Sequence, residues 1–128
     1  MQTYNPKHHT LILLKEFLNL LKQGVPFNQE SLQEDDSTFL DQLSNILSGL
    51  ESHHPDAIYQ GQAWVSRLFR NYPAYAPHLG REVLWYLGGE ALHFMPDEEI
   101  AKFQLLDDMV AEGRDYLEAK TEIFSAPQ

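Results

Sequence analysis

Apolar residues recur along this chain at intervals of three and four, the period of helices buried on one face. Leu11, Leu14, Leu18 and Leu21 line up over about His8 to Gln23 and predict a first helix, which Gly24 stops and Pro26 keeps from continuing. Residues 24–36 mix Pro26, Asn28 and Ser31 with the acidic run Glu34-Asp35-Asp36, and read as a connection with room for one helical turn at Glu30–Gln33. A second helix, capped by Asp36 or Ser37, runs to about Ser52 and turns Phe39, Leu43, Ile46, Leu47 and Leu50 inward. The third starts at Pro55, with Asp56 suited to the positive end of a helix. Its apolar residues, from Ala57 and Ile58 through Trp64, Val65 and Leu68 to Tyr72, fall within about 140° of one another at 100° per residue.

Pro73 and Pro77 bracket a turn, and a fourth helix is expected over about Leu79 to Met95. Pro96 opens a fifth, with Asp97, Glu98 and Glu99 in its first turn, expected to run to about Phe124. Phe103, Leu106, Val110, Leu117 and Phe124 make its main apolar stripe. Leu105, Met109, Tyr116 and Ile123 form a second stripe about 110° or more away, with Glu112 between them. A helix with two apolar faces needs cover on both, from the first helix or from a second copy of the chain, so these four are the candidate dimer interface. No segment shows the β-branched alternation of a strand. The expected fold is all-α: a bundle of four main helices with one or two short extra helices. A single domain over residues 1–128 is expected, with an irregular arm at 1–7 and a tail at 125–128.

Composition narrows the function classes. A chain of 128 residues, 43% hydrophobic, is long enough to enclose one core. The absence of cysteine excludes disulfides, thiolate metal sites and cysteine nucleophiles, and fits a cytoplasmic home. A net charge of −10, spread over both halves of the chain, disfavours general binding to nucleic acid. Neither a signal peptide nor a membrane span is expected, since the run Leu11–Leu14 is far too short.

Two features bear on chemistry. Glu90 and His93 are spaced as a Glu-x-x-His pair, which in di-iron helical bundles supplies two metal ligands. The other match, Glu51-Ser52-His53-His54, sits at a helix end before Pro55. With 19 acids and 6 His, such matches arise by chance, and no metal or other cofactor is expected. On the fourth helix Glu82, Tyr86, Glu90 and His93 fall within about 80° of arc, while the rest is apolar or small. That stripe is either the one wet face of a buried helix or the lining of a pocket with Trp85 or Tyr86 as its wall. Gly88-Gly89 inside a helix costs about 1 kcal/mol per Gly against Ala. Close approach of another backbone is the commoner reason for such a pair, a break or bend the second. Arg67, Arg70 and Arg81 make the one locally basic window, a solvated face by default and otherwise an anion site or a partner for the acidic fifth helix. No GxSxG, SxxK, GxGxxG or Walker pattern is present.

The runs Gly88 to Ile100, His54-Pro55-Asp56 with Gly61-Gln62, and Arg81 to Trp85 resemble a family of small uncharacterised proteins from Pseudomonas-like bacteria. Some members are loosely labelled dehydrogenase. The resemblance covers about residues 10–124 and implies a bacterial, cytoplasmic protein; it brings no catalytic residue with it.

The leading expectation is a non-enzymatic interaction or adaptor protein that binds a protein partner, either another protein or itself as a homodimer. The alternative is a small-molecule or metal-binding bundle, with or without enzymatic activity, centred on Glu90 and His93. An acidic mimic of nucleic acid is a third reading, weakened by the arginines mixed among the acids.

Overall fold

The computed structural model describes residues 4–125, so residues 1–3 of the expected arm and 126–128 of the expected tail lie outside the described residues. Helix α1 spans Pro6–Gln23. It starts two residues earlier than the apolar pattern suggests, because the Asn5 side chain accepts from the His8 N–H at 3.1 Å and Pro6 takes a first-turn position where no N–H is needed. Gly24 does end the helix, but in extended backbone that any residue adopts. Its reason is space: a Cβ there would fall 1.9 Å from the Tyr75 hydroxyl, which donates to the Val25 carbonyl.

Helix α2 is Glu34–Glu51. The acidic run Glu34-Asp35-Asp36 lies inside its first turn rather than before it, where three carboxylates suit the helix dipole and no side-chain cap is used. The expected turn at Glu30–Gln33 is absent; the chain turns at Val25–Asn28 instead. Helix α3, Ala57–Asn71, begins after Pro55 and Asp56, and the Asp56 side chain caps nothing.

Both long C-terminal helices of the sequence reading are broken. Helix α4 covers only Arg81–Leu87. Gly88 then takes φ 64° and ψ −156°, a conformation essentially reserved for glycine, and a 3-10 helix follows over Gly89–Phe94. So Gly88 marks a break, where a Cβ would meet nothing within 4 Å, while at Gly89 a Cβ would fall 2.6 Å from the Gln62 side-chain amide of α3. Gln62 of α3 stabilises the break by donating to the Leu87 carbonyl at 2.8 Å.

Helix α5 is Asp97–Ala111 and helix α6 is Tyr116–Phe124. Between them Gly113, at φ 96°, forms a Schellman stop: its N–H donates to Val110 O and that of Arg114 to Met109 O. Asp115 then caps α6 by accepting from the Glu118 N–H at 3.1 Å. The interruption changes the helical phase. Tyr116, Ala119 and Ile123 become the buried line of α6, and Leu117, expected in the core, is 69% exposed.

The described residues contain six α-helices and no strand, and none of these helices is long and apolar enough to cross a membrane. α1 packs on α2 and α4; α3 packs on α2, α4 and the 3-10 helix; α5 and α6 pack on each other. All six contribute to one core. At its centre Trp64 stacks on Phe39 at 4.6 Å, meets Phe17 edge-on at 6.0 Å, and donates its indole N–H to Phe39 O.

Candidate functional site

The break after Leu87 disperses the polar stripe of the fourth helix. Glu82 and Tyr86 remain on α4 and face inward, half-buried. Glu90 and His93, on the 3-10 helix, are exposed to solvent and do not share their face. No group of three or more His, Asp or Glu able to hold a metal occurs among the described residues. The other Glu-x-x-His match is engaged elsewhere: Glu51 pairs with Lys15, His53 accepts from Lys7 Nζ, and His54 Nδ1 accepts from the Asp56 N–H.

What gathers instead is a cluster around Glu82. Its side chain is 15% exposed and held from three directions. His9 of α1 brings Nε2 to 2.5 Å from Oε2. Tyr116, at the start of α6, donates its hydroxyl to the same oxygen. Lys120, one turn further along α6, donates to Oε1 at 2.5 Å. The N-terminal and C-terminal helices thus meet on one carboxylate of α4. Tyr4 completes the cluster by lying flat on Tyr116 and edge-on to His9.

Electrostatics follow from this packing. Burial alone would raise the Glu82 carboxyl. The hydrogen bonds from Lys120 and Tyr116, together with the charges of Lys120 and His9, outweigh it and hold the group below its ordinary value. Burial, then the bond to Glu82 and its negative charge, push the Tyr116 hydroxyl up. Burial likewise raises Tyr4, with the charges of Glu82 and Asp107 adding to it against a lowering contribution from Tyr116. A general acid or base works best with a pKa near the operating pH. Here the carboxyl moves down and the phenol up, so the pair is suited to anchoring and poorly suited to proton transfer.

Beside the cluster lies a cavity of about 290 Å³. Its walls include the rings of Tyr4, Trp85, Tyr86 and Phe103, with the carboxylates of Glu82 and Asp107. Trp85 stacks on Phe103 at 5.7 Å and donates its indole N–H to Asp107 at 2.9 Å, so α4 and α5 fix one wall together. Burial alone raises Tyr86, with no charged or hydrogen-bonding neighbour contributing. Past the Tyr4–Tyr116 pair a second, wider groove of about 560 Å³ runs between α1 and the α5–α6 junction, along Ile12, Val110, Arg114 and Leu117.

Of the site residues singled out in the sequence, Glu82, Trp85 and Tyr86 line the cavity, and Glu90 and His93 lie apart from it. The four stripe residues of the fifth helix are split. Leu105 is 50% exposed and Met109 half-buried on α5, while Tyr116 at 8% and Ile123 at 9% are buried on α6. They do not form one face. Of the basic window, Arg81 pairs with Glu99 of α5 through both Nε and Nη2 and also donates to Phe94 O, which joins α4 to the acidic start of α5.

Sequence reasoning missed Tyr4, His9, Asp107 and Lys120. Tyr116 and Lys120 do stand four apart, the spacing that puts two side chains on one helix face, and that signal was available. His9 and Tyr4 offered none, because their partners are remote in the chain.

A family model described as PA2817-like matches residues 2–124 of the chain. No curated protein and no solved structure matches it.

Proposed function

We propose that this chain, which belongs to the PA2817-like family, is a non-enzymatic binding protein that holds a small molecule in the cavity beside Glu82. The observation that carries this reading is the convergence of Tyr4, α4 and the α5–α6 pair on one concave, ring-lined space, with Glu82, Tyr116 and Asp107 already held by hydrogen bonds. Glu82 and Tyr116 are tuned away from neutral pH, which favours binding over catalysis. The volume of about 290 Å³ suits a compact metabolite. A dehydrogenase would need to seat a dinucleotide, and the chain has no glycine-rich phosphate cradle. An acidic, cysteine-free chain is in keeping with the bacterial cytoplasm as its place of action.

Two indole N–H signals allow a direct test. Trp85 lines the cavity and Trp64 is buried in the core. Metabolite fractions from a bacterial lysate are added to isotopically labelled protein. The Trp85 signal is expected to shift with at least one fraction while that of Trp64 holds still. Silence at Trp85 across all fractions would remove the reading.

A second reading, a homodimer or an adaptor for another protein, is favoured by a specific observation. Ile12 and Leu117 are exposed large apolar residues along the wider groove, and Leu105 is exposed on α5. Under that reading Leu117→Glu yields a smaller species by sedimentation at unchanged stability. A wild-type protein that sediments as a monomer and retains no partner removes it.

A further inference from the structure

We propose that the ligand of this cavity is a small alkylated ammonium, its cationic head packed against the rings of Tyr4, Trp85, Tyr86 and Phe103 and facing the carboxylates of Glu82 and Asp107. This rests on the cavity being a ligand site, and adds to it the charge and shape of what is bound.

Five of the cavity's lining residues are aromatic, Tyr4, Trp85, Tyr86, Phe103 and Tyr116, drawn from the N-terminal segment, α4, α5 and α6. A ring face carries partial negative charge and attracts a cation seated within about 6 Å of its centre. The charged side chains among the cavity's lining residues are Glu82 and Asp107, both acidic, and no Lys, Arg or His is among them. Neither Lys120 nor His9 lines the cavity, and both are turned onto the Glu82 carboxylate. Burial is the main cause that raises the Tyr4 hydroxyl, and the charges of Glu82 and Asp107 add to it. At longer range a chain of net charge −10 draws cations toward its surface.

The degree of alkylation follows from hydrogen bonding. A bare ammonium carries three N–H donors, each needing an acceptor once it leaves water. Both oxygens of Glu82 are already engaged, by Lys120 on one side and by His9 and Tyr116 on the other. Trp85 takes Oδ2 of Asp107, so of the two carboxylates only Oδ1 of Asp107 is left without a hydrogen bond among the described residues, too few for three donors. A fully alkylated, quaternary ammonium has no N–H and so no such need, and it presents apolar methyl groups to the rings. An anion is disfavoured by both carboxylates, and a neutral apolar molecule would gain nothing from them.

Three probes of similar shape and different charge test the inference on the full chain: tetramethylammonium, tert-butanol and pivalate. Each is titrated against labelled protein, with the Trp85 and Trp64 indole signals followed. Tetramethylammonium is expected to shift Trp85 saturably and to bind roughly tenfold more tightly than either other probe. Asp107→Asn, a change at an exposed position, is expected to weaken tetramethylammonium severalfold and leave tert-butanol unaffected. If tert-butanol or pivalate binds as tightly, the cationic class is overturned and the cavity remains a ligand site. If no probe moves Trp85, the ammonium inference is lost, and the metabolite fractions decide separately whether the cavity binds anything.

Discussion

Tyr4 lies against Tyr116 with ring centroids 3.7 Å apart and planes 3° from parallel. The contact fastens the segment before α1 to the first turn of α6, and it forms the partition between the cavity and the wider groove. Aromatic pairs contribute about 0.5–1.5 kcal/mol beyond the area they bury. Tyr4→Ala is therefore expected to lower stability by about 1–2 kcal/mol in urea unfolding. Tyr59→Ala, at a tyrosine that is exposed, serves as the control and should change little. Equal effects at the two positions would show that the stack is not a fastening.

Glu82 is the one acceptor shared by His9, Tyr116 and Lys120. Glu82→Gln keeps the shape, removes the charge, and leaves the Lys120 ammonium without its counter-charge. The expected cost is about 1–3 kcal/mol, the range for leaving polar groups poorly satisfied. Lys120→Met should cost less, because His9 and Tyr116 still satisfy the carboxylate. Denaturant titration of both variants checks the order, and a reversed order would mean that Glu82 is not the hub.

The same cluster sets the pH range of the fold. Glu82 has its folded value depressed, so its contribution is present above the ordinary glutamate value and is lost as pH falls through the lowered one. Tyr116 has its folded value raised, mainly by burial and then by Glu82. Tyr72 is raised likewise, by burial and then by its hydrogen bond to Asp36. Their contributions are intact below the unfolded tyrosine value of 10.0 and are lost as pH rises above it. Thermal unfolding followed across pH should show a plateau falling at both ends. Tyr116→Phe should flatten the alkaline side.

Gly88 distinguishes a broken helix from a continuous one. In a continuous helix, Gly→Ala would stabilise by about 1 kcal/mol. At φ 64° and ψ −156° the added Cβ meets no neighbour, but the backbone conformation itself is unfavourable for alanine. Gly88→Ala is expected to destabilise by about 1–3 kcal/mol. A gain in melting temperature would mean that α4 continues through the glycines.

Helical character and most inward positions were legible in the chain: Phe39, Leu43, Ile46, Leu47 and Leu50 all line the core as their spacing indicates. The breaks were less so. Gly88-Gly89 carried the signal of one, yet a packing reason for the pair competed with it. Gly113 followed by Asp115 and Glu118 is a stop and a start in local sequence terms, and the apolar stripe running across them hid it. That error of phase put Tyr116 on a dimer seam and Leu117 in the core. The Glu82 cluster was legible only in part, because a contact between α1, α4 and α6 depends on how helices are arranged in space, and periodicity reports only which face of each helix is apolar.

The pairing of α5 with α6 bears on how the molecule comes apart. These two helices pack chiefly on each other; besides the core they share with the other helices, they meet the rest through Arg81 with Glu99, Trp85 with Phe103 and Asp107, Glu82 with Tyr116 and Lys120, and Tyr4 with Tyr116. Such a hairpin can swing open as a unit at a free energy below that of global unfolding. The cavity lies on that line of separation, so an occupant touching Trp85 and Tyr86 on one side and Phe103 on the other closes the joint. Binding would then be recorded less as a change of shape than as slower opening of the α5–α6 hairpin, by an amount that grows with ligand concentration.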